Sequence, residues 1–225
     1  MYDFLTGPML WLTFIVSFGG LLVRVILYIK GLDQQLDRVA YRAHLSYGIK
    51  GAIRSILCWL NPIGARGWRI RPGFTFMFFL FHIGLLLTPV FLAAHNVMLQ
   101  DALGISLPAL PSFLADTLAW IVVVGGVFMI LRRIAFPEVR ILTTAYDYLV
   151  LVIAVAPFVT GLIARYAVGD YQFWLLAHII CGEIWLLSLP FTKLSHCVLF
   201  FMSRAQLGMD YGIKRGGMKG SSMAW

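Results

Sequence analysis

Four of the five histidines in this 225-residue chain stand inside apolar runs: His82 and His95 in one, His178 and His196 in another. An ionisable ring is costly to bury without a partner, so histidine in such a run marks a candidate site. Neutral imidazole is a metal ligand, and ligation answers that cost. Two histidines on each of two helices are a ligand set for two b-type haems, each iron held by one imidazole from each helix. Iron with two axial imidazoles is coordinatively saturated, so it passes electrons and does not bind oxygen. No CxxCH attachment sequence is present, and b-type haem needs none. Cys58, Cys181 and Cys197 form no CxxC pair; they read as small apolar fillers, and no iron–sulfur cluster is expected in this chain. His44 lies in a basic loop and reads as an ordinary surface histidine.

Spacing separates the two pairs. His178 and His196 are 18 residues apart. On a continuous helix that returns both to one face, separated by about 27 Å. His82 and His95 are 13 residues apart. An ideal helix would put them about 20 Å apart but about 140° apart in azimuth. Pro89 lies between them, and a proline kink with a wide turn would recover part of that mismatch. His95 therefore decides whether the chain carries one haem or two.

The elements that must position these residues are membrane helices. The chain is 60% hydrophobic and 12% charged, with a mean hydropathy of +0.85, against about 25% charged for a soluble domain. A spanning helix needs about 20 apolar residues, and five stretches qualify: 9–29, 74–97, 113–131, 145–167 and 173–202. The expected fold is an all-α integral membrane protein of five transmembrane helices, with haems between helices two and five. Pro89, Pro157 and Pro190 predict kinks in spans two, four and five. The excess of eight positive charges falls in loops, which fits a positive-inside bias better than nucleic-acid binding. Lysine and arginine crowd residues 30–71, the turn 132–140 and the tail after 203, while 95–116 has neither. That places the N-terminus outside and the C-terminus in the cytoplasm. Asp3 in place of a basic leader, and no small-residue cleavage site, argue against a cleavable signal peptide. With this topology His82 is level with His196 on the inner side, and His95 with His178 on the outer side.

Residues 1–207 read as one membrane domain that includes a cytoplasmic loop, 31–72; residues 208–225, rich in glycine and serine and basic, read as a flexible tail. Within the loop, Leu45, Ile49, Ala52, Ile53, Ile56, Leu57 and Leu60 recur at helical spacing, with Lys50 and Arg54 on the polar side. Two compatible readings follow: a helix lying in the cytoplasmic interface, or a docking surface for a cytoplasmic partner.

The run Phe81-His82-Ile83-Gly84, together with His178 and His196 at their spacing, resembles the membrane cytochrome b (gamma) subunit of respiratory nitrate reductase. The resemblance covers most of the chain. In size, tail and composition the chain is most similar to the cytochrome b subunits of the high-molecular-weight cytochrome c (Hmc) type, from transmembrane redox complexes of sulfate-reducing bacteria. It implies five spans in a bacterial inner membrane, an outside N-terminus and two b haems between helices two and five. The implied partners are a cytoplasmic iron–sulfur subunit, a periplasmic multihaem cytochrome c, other membrane subunits and menaquinone. His82, His178 and His196 match the family's ligands; the family's remaining ligand falls where this chain has Leu92, three residues before His95.

Haem propionates need cations. Lys193, Arg71 and Arg204 are candidates at the inner side, and Arg165 with Tyr166 at the outer side; all but Lys193 also suit a plain role as interfacial anchors. Asp147 and Glu183 are acids within spans, Asp147 near the boundary and Glu183 five residues after His178, where it suits proton transfer to a quinone or pairing with a cation. No catalytic residue is expected beyond a quinone site beside one haem. The competing class is a non-redox membrane anchor or small transporter with structural histidines.

Overall fold

The computed structural model describes residues 1–32 and 44–214. Their regular structure is all helix, with no strand among them, and five helices are long and apolar enough to cross a membrane: Tyr2–Leu32, Pro72–Phe91, Ser112–Ala135, Ala145–Arg165 and Tyr171–Phe191. We label α1 Leu10–Leu32, which follows a short helix and a π-helical turn, Leu5–Met9. Next come α2, Leu45–Leu60; α3, Pro72–Phe91; α4, Ala93–Leu103; and α5, Ser112–Ala135. The chain continues with α6, Ala145–Arg165; α7, Tyr171–Phe191; and α8, His196–Lys214.

Two expected spans end early. The stretch 74–97 divides at Leu92, whose backbone is extended (φ −69°, ψ 132°) between α3 and α4. Pro89 removes one rung of the helical ladder, and the N–H of Leu110 takes the Phe91 carbonyl at 2.8 Å. The stretch 173–202 divides at Thr192 (φ −120°, ψ −176°). There Pro190 again lacks a donor, and the Thr192 hydroxyl accepts from the N–H of Leu194 at 3.2 Å. His178 and His196 are therefore on different helices, and their 18-residue spacing does not put them on one helix face. The tail also departs from expectation: residues 208–214 continue α8 as helix. Arg38, Arg42 and residues 215–225 lie outside the described residues.

The chain forms two compact units. The first comprises Met1–Leu10 and Phe76–Leu186. Its core joins Phe81 of α3, Ala119 and Val122 of α5, and Phe158 and Leu162 of α6. Small residues let the backbones approach, as membrane helices require: a Cβ on Gly84 would stand 2.7 Å from the Leu118 carbonyl oxygen, and one on Gly126 would stand 2.7 Å from Val155 Cγ2. At the start of α6 the N–H and hydroxyl of Thr144 both donate to Asp147 Oδ2 at 2.9 Å. Asp147 is thus the partner in a capping box, which accounts for an acid at this boundary.

The second unit comprises Trp11–Thr75 and Leu187–Trp225. Here α2 and α8 meet backbone to backbone. A Cβ on Gly51 would run into the Gly208 carbonyl oxygen, and one on Gly212 would come within 2.6 Å of the Tyr47 carbonyl oxygen. Ser55, on the same face of α2 as Gly48 and Gly51, is fully buried. The large apolar residues of α2 lie elsewhere: Leu45, Ile49, Ile53, Leu57 and Leu60 are all exposed. The Tyr28 hydroxyl of α1 donates to Gln206 Oε1 of α8, and the Arg204 guanidinium lies 4.7 Å from the centre of a Trp59 ring.

Candidate functional site

The break at Leu92 decides where His95 goes. Carbonyls in the last turn of a helix have no intrahelical partner, and in α3 one of them, on Pro89, lies 2.8 Å from His95 Nδ1. A carbonyl only accepts, so Nδ1 carries the proton and Nε2 keeps its lone pair. His178 is held in the same way. Its Nδ1 lies 2.8 Å from the carbonyl oxygen of Pro157, on the neighbouring α6. Gly161, one turn further along α6, seats the ring: a Cβ there would stand 3.0 Å from both Nδ1 and Cε1 of His178.

The two ring centroids are 6.0 Å apart and the ring planes are within 16° of parallel. Both imidazoles are part-buried and both offer Nε2 as the free nitrogen. Fixing Nδ1 against a backbone carbonyl is the usual way a protein orients a ligating imidazole and raises its basicity. The structure therefore brings His95 and His178 together in the first unit, although the register of a continuous helix would have kept His95 off the required face.

The other two histidines are each anchored to a backbone carbonyl on their own segment of chain. His82, in the first unit, has Nδ1 2.8 Å from the Phe78 carbonyl oxygen one turn back, with its ring against Phe78 and Phe81. His196, in the second unit, opens α8 as an exposed residue with Nδ1 2.9 Å from the Lys193 carbonyl oxygen. Among the described residues no group of three or more histidine, cysteine or acidic side chains could hold a metal ion. Cys58, Cys181 and Cys197 are free thiols.

The candidate cations divide by partner. Arg165 pairs with Asp116, Nε to Oδ1 3.3 Å, which joins the end of α6 to the start of α5. Arg204 is stacked over Trp59. Lys193 sits exposed in the 3₁₀ turn Lys193–Ser195, and Arg71 is exposed just before α3. Glu183 is 4% exposed, and its Oε1 has no hydrogen-bond partner.

Sequence reasoning passed over Arg24. This arginine, well inside the first apolar run, donates from Nε to the Pro190 carbonyl oxygen at 2.7 Å, next to the break that precedes His196. Gly20, one turn earlier on α1, allows the approach: a Cβ there would stand 2.6 Å from Pro190 Cβ. A cation inside a spanning segment was the available signal, because such residues are rare without a role. Arg24→Leu is expected to lower stability by about 2 kcal/mol, since it leaves the Pro190 carbonyl without its charged donor. Thermal unfolding of the detergent-solubilised protein measures this, with Arg24→Lys recovering part of the loss.

A protein of Nitratidesulfovibrio vulgaris (strain Hildenborough), which carries only the name "Protein", is 62% identical over 226 residues, covering 100% of both chains. The chain belongs to the family of that protein. No family model matches the chain, and no solved structure matches it.

Proposed function

We propose that the chain is a membrane cytochrome b that holds haem between its helices and relays electrons across a bacterial inner membrane. The observation that carries this reading is the His95–His178 pair. These two side chains are the ones that would hold the iron of a haem, each through Nε2. The rings stand 6.0 Å apart, nearly parallel, with both Nδ1 atoms already committed to carbonyls. A bound haem would supply a one-electron carrier. The protein's part is to orient the two imidazoles, keep them neutral and exclude water. Asp116 neutralises Arg165, the outer propionate candidate, at 3.3 Å; a propionate there would have to share that cation.

For the inner haem, support comes from sequence alone: His82 and His196 pair through the charge-derived topology, with Lys193, Arg71 and Arg204 as cations for the propionates. The resemblance to nitrate reductase gamma-type cytochrome b subunits, the Hmc type in particular, supports both haems. It also supports the partners in this reading: a cytoplasmic iron–sulfur subunit, a periplasmic multihaem cytochrome c and a quinone. Glu183, buried in α7 with one oxygen unpartnered, is the proton-carrying group for a quinone in this reading.

A reduced-minus-oxidised absorbance spectrum of the purified protein tests the reading. A b-type α band is expected, and its absence would favour the non-redox anchor or transporter. Pyridine haemochrome analysis then counts haems per chain. His95→Ala is expected to lower that count by one and leave the remaining haem low-spin; loss of every haem, or of none, counts against the pairing.

A further inference from the structure

We infer that Thr160 is a positioning residue for His178: its hydroxyl shares the Pro157 carbonyl with the imidazole and so limits how strongly that ring donates to a metal. The inference rests on the cytochrome reading for the identity of the metal, and on the geometry of α6 and α7 for the rest. It starts from one oxygen. A carbonyl has two lone pairs, and in a helix one of them is engaged by the N–H four residues ahead. At Pro157 two side chains compete for what remains. His178 Nδ1, on α7, lies 2.8 Å from the oxygen. The Thr160 hydroxyl, on α6, donates to the same oxygen at 3.1 Å. Threonine in a helix ordinarily donates to the carbonyl four residues back, and Thr160 does so, to Ala156 at 2.8 Å. A hydroxyl has one proton, so Thr160 divides it between the two carbonyls, and one of them is the oxygen that holds the imidazole. Gly161, the next residue, leaves room for the incoming ring: a Cβ there would stand 3.0 Å from His178 Nδ1.

The competition has a direction. Each donor draws electron density from the oxygen and so weakens its hold on the other donor. Pro157 is buried, and in such surroundings a hydrogen bond carries more electrostatic weight than it does in water. Without the hydroxyl, the Pro157 carbonyl would accept more strongly from His178 Nδ1. A stronger bond at Nδ1 gives the ring more imidazolate character and raises the basicity of Nε2. A more basic axial nitrogen stabilises ferric iron against ferrous, and outer hydrogen bonding of this kind is one of the levers on a haem potential. Thr160 therefore acts in the opposite sense to the carbonyl it shares: Pro157 fixes and enriches the imidazole, and Thr160 holds that enrichment down.

The test uses the full chain in detergent. Thr160→Val keeps the branched shape and removes the hydroxyl, Thr160→Ser keeps the hydroxyl, and Thr160→Ala is a second variant without it. Redox titration at the b-type α band is expected to show a more negative midpoint for the outer centre in the valine and alanine variants. The serine variant should match the unaltered protein, and the other centre should not move. The outer centre is the one missing from His95→Ala. An outer midpoint that stays or rises when the hydroxyl is removed, or that falls equally in Thr160→Ser, overturns the inference. A second measurement needs no haem. In proton NMR of protein carrying isotope-labelled histidine, reduced with dithionite where haem is present, the Nδ1-bound proton of His178 is assigned by its loss in His178→Ala. It is expected downfield in Thr160→Val and Thr160→Ala relative to Thr160→Ser and the unaltered protein. No shift, or an upfield one, overturns the inference. A downfield shift in a protein that shows no b-type band would refute the cytochrome reading and leave the hold of Thr160 on His178 standing.

Discussion

Replacing His178 by alanine is expected to remove one haem from the protein while leaving its helices folded. The imidazole is held by one hydrogen bond, to the Pro157 carbonyl, and lies over Gly161. Losing that bond costs about 1 kcal/mol. The carbonyl is not stranded, because the Thr160 hydroxyl also donates to it at 3.1 Å. The core of the first unit, built on Phe81, Val122 and Phe158, does not include this ring. A large fall in haem content with a small fall in melting temperature is therefore the expected signature. His178→Met separates ligation from packing. Thioether sulfur is an axial ligand that raises the potential of a haem, so this variant should retain a low-spin centre with a more positive midpoint. Alanine and methionine variants that both keep the full haem count would remove His178 from the ligand set.

The second large effect is on stability, and it is expected at Gly51 and Gly208. Neither position has room for a single methyl group, because each would place it against the carbonyl of the other helix. Backbone cannot swing aside as a side chain does, so α2 and α8 must separate. Gly51→Ala and Gly208→Ala are each expected to cost about 3 kcal/mol, at the upper end of overpacking penalties. Helix propensity works the other way, favouring alanine by about 1 kcal/mol, so any net loss reports the contact. Gly67→Ala is the control: no atom lies within 4 Å of its Cβ position, and its change should stay within about 0.5 kcal/mol. Thermal unfolding in one detergent compares the three. Equal melting temperatures would show that the helices do not touch there.

The membrane class and the five spans were legible because about 20 consecutive apolar residues have few alternatives. The places where those spans stop were not. Leu92 carries no capping or breaking signal; the carbonyls freed at the end of α3 find partners in Leu110 and His95, which local sequence does not reveal. Pro190 was visible, but a proline in a membrane helix predicts a kink, whereas the chain here passes through an extended Thr192. On α2 the apolar spacing predicted the helix correctly. Its packing face was hidden because between membrane-associated helices small residues do what leucine does in a soluble core. For the same reason Gly208 and Gly212 read as a loosening tail and turn out to be the contact surface of α8. All four histidines were singled out from sequence as candidates. The geometry of His95 and His178 depended on a broken helix that periodicity assumes away.

The extended residue at Leu92 also changes how this family should vary. On an unbroken helix, every insertion or deletion between two ligands rotates one against the other by about 100° per residue. With Leu92 extended, the rotation of His95 is set afresh at the start of α4, and its ring is anchored to Pro89 just upstream. The facing of His95 thus does not follow from counting residues from His82 along one helix; it follows from where Pro89 stands. Relatives that keep His95 facing its partner should therefore keep the interval from Pro89 to His95, which closes that hydrogen bond, fixed in length.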